Sequence, residues 1–367
     1  MTSAERIDDP TESSVPEPVT YSGPEWMGKA NWHSVAETYL LKGMKPLMFL
    51  LTKIMLAINK LYPQALLNRS YDGAERLLGW LPGVRGTQTE AVELPNCPAE
   101  WVWNEATPPV DGRVIIYFHG SAFIALGMNS HRPLVSHIAR DSGARALNVG
   151  YRLCPRNLVE DAVDDGVDAY RYVLAQGVKP ENIVLAGDSA GGFIAAMTSV
   201  AVRDQGMAPP AGCVMLSAAT NSDMKPKYEA AKRIPDAMFP IDFLRMISEV
   251  FLLRNGGRDA IPSPVDADLR GLGPFLLQVG SEEALRPDSE LMAERLAEAG
   301  APQPGKELFE IGQGNLLPGG NIRQGNRLRL GVARQIDHRH NGVTTLGAEL
   351  HSILLMAGSS GLALPNA

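Results

Sequence analysis

The stretch Val184-Leu185-Ala186-Gly187-Asp188-Ser189-Ala190-Gly191-Gly192 decides the fold. Its apolar opening reads as a buried strand, and its Gly-x-Ser-x-Gly close reads as a tight elbow from which a helix begins. Residues on either side of the serine in such a turn must lack bulk, and Gly187, Ala190 and Gly191 meet that demand. The turn holds the hydroxyl up at the edge of a sheet, which makes Ser189 a candidate nucleophile. Alone, the spacing is weak evidence in a chain with 36 glycines, where a surface turn is the plain alternative.

The context upstream strengthens it. Arg113-Val114-Ile115-Ile116-Tyr117-Phe118-His119-Gly120-Ser121-Ala122-Phe123 is an apolar run followed by small residues, as expected of a central strand entering a loop. Two edge-type strands, near Ala91–Leu94 and Trp101–Asn104, precede the central one at Val114–Phe118. Thereafter the spacing predicts helices near Arg132–Arg140, Val159–Ala175 and Gly192–Asp204, and strands near Ala146–Tyr151, Ile183–Ala186, Cys213–Ser217 and Phe275–Val279. Such alternation implies parallel crossover units, hence an α/β fold with a doubly wound, mostly parallel sheet. Catalytic groups then belong in the loops at the carboxyl ends of strands, where Ser189 and His119 both fall.

Two motifs carry a family resemblance. His119-Gly120-Ser121-Ala122-Phe123, followed by Gly187-Asp188-Ser189-Ala190-Gly191-Gly192, resembles the paired motifs of the hormone-sensitive-lipase-like (GDXG) branch of the α/β-hydrolases. The likeness runs from about Val92 to Ile311. It takes in His131-Arg132-Pro133-Leu134 at a helix start, the turn Tyr151-Arg152-Leu153-Cys154-Pro155, and Asp161-Ala162-Val163-Asp164-Asp165. The last two also read as scaffold, through loop anchoring and negative charge at a helix start. The resemblance implies an α/β-hydrolase fold with a helical cap and a serine carboxylesterase or lipase activity on short- to medium-chain acyl esters. An acyl-enzyme intermediate and no cofactor go with it. It also assigns the oxyanion hole to the backbone around Gly120, Ser121, Ala122 and Ala190, because acyl transfer needs donors aimed where the tetrahedral oxygen becomes negative. Ser121 and Ala122 stand where the family has glycines; both are small enough for the hole to survive.

A serine becomes a useful nucleophile when a histidine takes its proton, and the histidine needs a carboxylate to fix its tautomer. Chain order in this fold is serine, acid, histidine. After the strand at Phe275–Val279 comes Gly280-Ser281-Glu282-Glu283-Ala284-Leu285-Arg286-Pro287-Asp288, which is similar to the family's acid loop in its glutamate form. Matching the helix that follows, Leu291 to Gly300, places Glu283 on the catalytic position, with Glu282 and Asp288 as runners-up. Each also reads as a solvated carboxylate beside a helix start. The family's histidine should then follow the strand Leu308-Phe309-Glu310-Ile311, where the chain instead has Gly312-Gln313-Gly314-Asn315. No histidine occurs between His137 and His338. Beyond Gly312 arginines accumulate at 323, 327, 329, 334 and 339 with only Asp337 to oppose them before Glu349, and no closing amphipathic helix is evident. An altered reading frame and true divergence both produce such a break. Asp337-His338-Arg339-His340 offers a displaced base at His338, or a metal pair for which a third ligand is missing.

Composition bounds the remaining choices. At 367 residues, 45% hydrophobic and 20% charged, the chain has material for one large core. A net charge of −7 argues against a nucleic-acid partner, whose phosphates call for clustered Lys and Arg. Cys97, Cys154 and Cys213 are few and widely spaced, which suits reduced thiols in a cytoplasmic protein better than a disulfide framework or a zinc site. Residues 1–20 read as a disordered lead-in without a secretory signal. Met44, Leu47, Met48, Leu51, Ile54, Met55, Ile58 and Leu61 recur at helical spacing, and Lys53 leaves the run too short for a bilayer span of about 20 residues. By resemblance this helix belongs to a cap over 21–87 that covers the acyl pocket; peripheral membrane contact through Met44–Leu61 is the alternative. The hydrolase domain is expected over 88–311, with a second cap element at 218–264 containing a helix at Phe239–Leu253, and an atypical tail at 312–367. The expected partner is a small-molecule ester or lipid.

Two readings of different class follow. The intact elbow points to a serine ester hydrolase; the absent histidine points to a catalytically inactive ligand-binding protein on the same scaffold, as in the plant gibberellin receptor, which resembles this family and lacks the histidine.

Overall fold

The structure, a computed structural model, describes residues 83–109, 112–154, 156–233, 263–280, 283–302 and 309–311, together with residues 46, 50, 75, 76, 79, 241, 244 and 245. Its centre is an eight-stranded sheet of β1 (Thr87–Glu93), β2 (Pro98–Asn104), β3 (Val114–Phe118), β4 (Arg145–Val149), β5 (Ile183–Asp188), β6 (Gly212–Leu216), β7 (Phe275–Gly280) and β8 (Phe309–Ile311). Their order is β1-β2-β4-β3-β5-β6-β7-β8, antiparallel at β1/β2 and β2/β4 and parallel from β4 onward. The helices are α1 (Met128–Ser142), α2 (Val159–Ala175), α3 (Ala190–Asp204), α4 (Lys225–Arg233) and α5 (Arg286–Glu298).

The central strands are apolar throughout because both faces are covered. Along β3, Val114, Ile116 and Phe118 enter one core with Tyr170, Ile194 and Met292 from α2, α3 and α5. Ile115 and Tyr117 enter a second core with Leu134, Val135 and Ile138 of α1. β5 and β6 repeat the alternation, with Leu185 and Met215 on the first side and Val184 and Val214 on the second. The doubly wound expectation holds in this arrangement. β3 lies between β4 and β5, so the chain turns one way after β3 and the other way after β4. The loops leaving β3 and β5 therefore diverge, and a crevice opens at their carboxyl ends.

The central strands follow the sequence pattern closely; β1 and β2 begin four and three residues earlier than expected, and two helix starts differ for a physical reason. α1 begins at Met128, four residues before the expected start near Arg132. Its first amides are capped from a distance, since Asn129 N–H donates to Glu75 Oε1 at 2.6 Å and Ser130 N–H lies 3.4 Å from the same carboxylate. Ser130 itself donates its hydroxyl to the Gly127 carbonyl at 2.8 Å. α5 begins at Arg286 instead of Leu291, with Pro287 in the first turn where its missing N–H costs nothing. The expected helices at Met44–Leu61 and Phe239–Leu253 lie outside the described residues, apart from single helical positions. Among the described residues no helix is long and apolar enough to cross a membrane.

A cap contributed by a negative side chain at a helix start is worth about 0.5–2 kcal/mol. Glu75→Ala should therefore lower stability by roughly 1 kcal/mol in denaturant melts, and Glu75→Gln should lose less, because it keeps an acceptor for the Asn129 amide.

Candidate active site

The elbow is built by close backbone approach. A Cβ on Gly191 would lie 1.9 Å from the Phe118 carbonyl oxygen, and one on Gly187 would lie 2.4 Å from Gly191. Only glycine lets α3 leave β5 so close to β3. Ser189 has φ 51 and ψ −117, a conformation that costs an L-residue on the order of 1–3 kcal/mol. Its main chain is tied on both sides to hold it there. Ser189 N–H donates to Leu216 O at 2.8 Å, and Ser189 O accepts from Gly192 and Ala219 at 3.1 and 3.0 Å. The serine is only partly buried, at the carboxyl end of β5 and the head of α3. Ala190 opens that helix, whose first amides have no partner within the helix itself.

The loop after β3 faces this elbow. Ser121, Ala122 and Phe123 take φ values of 93, 59 and 64, the left-handed region that glycine fills easily and side chains resist. The loop keeps this shape through anchors at both ends. Ile124 N–H donates to Ser121 O at 3.2 Å, Cys154 N–H donates to Phe123 O at 2.8 Å, and the Phe123 ring packs edge-on against Phe193 at 5.2 Å. Gly120 is fixed differently: its N–H donates to Asp188 Oδ1 at 2.9 Å, and a Cβ there would sit 2.1 Å from Asp188 Oδ2. Its amide is thus committed to Asp188, which corrects its expected place among the oxyanion donors and leaves Ser121, Ala122 and Ala190 as candidates.

Asp188 is a residue the sequence reading passed over. Its carboxylate also accepts the Tyr117 hydroxyl at 2.8 Å and faces His131 Nε2 at 3.6 Å. Burial would raise its pKa, but His131, Tyr117 and His119 together hold it below the usual carboxylate value. His119 is buried on the other side of the loop, stacked on Tyr151 at 4.3 Å, with Nδ1–H donating to Gly120 O at 2.8 Å. Burial, reinforced by the neighbouring His131, pushes its pKa down to about 3, so the ring is neutral and serves the loop as a brace. The Tyr151 hydroxyl donates to the His119 carbonyl at 2.7 Å, while the Arg152 guanidinium binds Asp165 at 2.9 Å and Asp161 at 3.2 Å. The Tyr-Arg turn and the acidic helix start have the anchoring geometry of scaffold.

A family model described as the alpha/beta hydrolase fold matches residues 115–308, more than half of the chain. The chain belongs to that family. Within it, the chain is 36% identical over 239 residues to Esterase LipU of Mycobacterium tuberculosis (strain ATCC 25618 / H37Rv), covering 63% of this chain and 79% of the relative. It is 34% identical over 242 residues to an acetyl-hydrolase of Streptomyces hygroscopicus, covering 66% of this chain and 79% of the relative. A crystal structure of an esterase from the bacterial hormone-sensitive lipase family superposes with a TM-score of 0.67 at 27% identity, covering 87% of this chain and 98% of that one. This α/β-hydrolase is therefore a hormone-sensitive-lipase-like carboxylesterase by family, and ester hydrolysis is its activity class.

The loop expected to carry the acid follows β7, two strands beyond the elbow strand. Glu283 is partly exposed there, and its carbonyl accepts the Arg286 amide at 3.1 Å; residues 281 and 282 lie outside the described set. Asp288, a runner-up, is drawn into the first turn of α5 and fully buried, with Oδ1 2.7 Å from Lys227 Nζ of α4 and Oδ2 accepting the Asn221 amide at 3.0 Å. Lys227 in turn donates to the carbonyl of Asn221 at 2.7 Å. Asp288 is thus a structural anchor between α4 and α5. His338, His340 and His351 lie outside the described residues, and among those described no group of His, Cys, Asp and Glu is arranged to hold a metal.

Burial lifts the Asp288 carboxyl from 3.8 to about 6 against the pull of Lys227. A raised pKa means the folded state holds a proton that the unfolded chain has released, so the associated stability is full below pH 4 and is lost as pH rises through 6. Thermal melts of the parent against Asp288→Asn should show the parent's advantage shrinking across that window, by up to about 3 kcal/mol at ~1.4 per pH unit. Lys227→Met strands the carboxylate and should destabilise by about 3–5 kcal/mol near neutral pH.

Proposed function

We propose that this α/β-hydrolase cleaves carboxylic esters with Ser189 as nucleophile, Glu283 as the acid that orients the base, and the amides of Ser121, Ala122 and Ala190 as oxyanion donors. The observation that carries the reading is the strained, doubly anchored Ser189 at the mouth of the crevice beside the left-handed 121–123 loop. Strain of this kind persists where the surroundings over-determine it, and it clusters at reacting groups. Ser189 Oγ attacks the ester carbonyl carbon and gives its proton to a base; the oxygen that becomes negative sits on the three amides. The alcohol leaves with that proton, and water then releases the acid from the acyl-serine. Short- to medium-chain acyl groups are the proposed substrates, in keeping with the acetyl-hydrolase and esterase names of the relatives. Cap segments at 21–87 and 218–264 are proposed to select the acyl chain, and the Met44–Leu61 face is the proposed point of any membrane contact.

The base is the weak point of the machinery. His119 is a neutral brace, His131 faces Asp188, and His137 lies along α1 beside Arg140. All three precede the nucleophile in the chain, whereas this fold takes its base after the acid. The Gly312–Asn315 stretch that should supply it contains none. The chain as written should then retain the oxyanion hole and binding alone, a residual of roughly 10³–10⁴ over water. That same absence favours a second reading, a ligand-binding protein that holds an ester or acid in the crevice without turning it over.

A fluorophosphonate probe tests the nucleophile. Labelling should map to Ser189, be slow, and vanish in Ser189→Ala; equal labelling of that variant overturns the elbow assignment. Gln313→His should raise hydrolysis of activated short-chain esters by at least tenfold if the base is what the chain lacks, and Glu283→Gln in that background should lower kcat with little change in KM. Strong parental activity that disappears in His338→Ala would instead assign the base to the tail.

A further inference from the structure

The polar groups behind the oxyanion loop form a chain that ends on α1. Asp188 lies on the face of β5 that looks toward α1, following Val184 and Ala186, and its two oxygens are divided between neighbours. Oδ1 takes the Gly120 amide and the Tyr117 hydroxyl; Oδ2 faces His131 Nε2 at 3.6 Å. Both partners are nearly closed to solvent, with side-chain exposures of 7% for His131 and 14% for Asp188.

The second nitrogen of His131 fixes the proton count. Nδ1 lies 2.9 Å from Ser130 Oγ and 3.2 Å from the Gly127 carbonyl. The Ser130 hydroxyl has one hydrogen, and its short 2.8 Å contact to Gly127 O takes it, while the oxygen already accepts the Gly127 amide at 3.1 Å. Nδ1 therefore meets two oxygens that offer it no hydrogen, and it must carry its own. Nε2 points at a carboxylate and needs a proton as well, since a lone pair there would face a negative charge. Two protons on one imidazole make it a cation.

On these contacts, and resting on the Ser189 reading for its catalytic meaning, we infer that His131 is a positioning residue. It is a buried imidazolium whose Nε2–H holds the Asp188 carboxylate, so that Asp188 keeps the Gly120 amide and the 121–123 loop in register with Ser189. The groups that face it support the charge. Asp188 and Tyr117 approach from the sheet, and Glu75 caps the same helix end; His119, 5.4 Å away, is neutral and adds no competing cation. Burial works against the charged ring, but Asp188, Gly127 and Glu75 leave its affinity for the proton above that of an ordinary histidine. Raising the pH through that titration removes one of the two protons, sets a lone pair against an oxygen, and loosens the link to Gly120.

The test needs no turnover. In the full chain with ¹⁵N-labelled histidine, His131, assigned by its loss in His131→Gln, should show both ring nitrogens protonated at pH 7 and titrate above the ordinary histidine value. The Gly120 amide should be protected from exchange while His131 is charged and lose protection over the same pH range. A neutral ring at pH 7, or a Gly120 amide indifferent to the titration, overturns the inference. His131→Gln, which keeps a donor for Asp188, should retain Gly120 protection at all pH values, and His131→Leu should lose it. The fluorophosphonate rate on Ser189 then reads the consequence, falling several-fold as His131 deprotonates in the parent and staying flat in His131→Gln. If Ser189 takes no label at any pH while the ring and amide behave as stated, the nucleophile reading fails and the positioning of the loop stands.

Discussion

The rest of this molecule depends on how closely α3 passes the end of β3. With the Phe118 carbonyl 1.9 Å from where a Gly191 Cβ would be, the helix axis is pinned against the sheet by backbone alone. From that approach follow the left-handed serine, the position of the α3 amides, and the narrow crevice between the loops after β3 and β5. The apolar strands supply cohesion through two cores, but cohesion has no preferred register along a helix. Backbone contact does, because glycine at 187 and 191 makes one approach possible and any side chain there forbids it. The catalytic geometry is in this sense a packing consequence.

Among the described residues, several further buried charges are gathered in closed sets. Arg152 with Asp165 and Asp161 anchors the turn after β4, Arg132 with Glu100 and Asn148 docks α1 on the antiparallel edge, and Lys227 with Asp288 joins α4 to α5. In each, the buried carboxylate is met by amides or amide side chains as well as by its cation, the condition under which such pairs are tolerated. These sets join one element to another: the turn after β4 to α2, β2 and β4 to α1, and α4 to α5. They add orientation more than net stability, since the desolvation of both partners offsets most of their attraction.

The fold was largely legible in the sequence because its signals are local or periodic. Strands β3, β5, β6 and β7 announce themselves as continuous apolar runs, and the Gly187-to-Gly192 elbow carries its own steric logic. What escaped was set by contacts distant in sequence. The start of α1 depends on Glu75, some fifty residues earlier, and no propensity along Gly127–Pro133 reveals it. Asp288 read as a loop carboxylate until its pairing with Lys227 placed it in α5. Gly120 belonged by motif to the oxyanion set, yet its amide is claimed by Asp188 across 68 positions of sequence. Asp188 and His131 were visible as motif letters, but nothing in either motif says that the two meet.

One feature of the sheet bears on how such an enzyme gains or loses its chemistry. β8 runs parallel to β7 with Ile311 level with Gly280, so the chain leaves β8 on the same rim as the elbow and the loop after β7. The elbow and the end of β8 lie three strand spacings apart, roughly 14 Å, so the width of the sheet sets the distance from Ser189 at which the chain leaves β8.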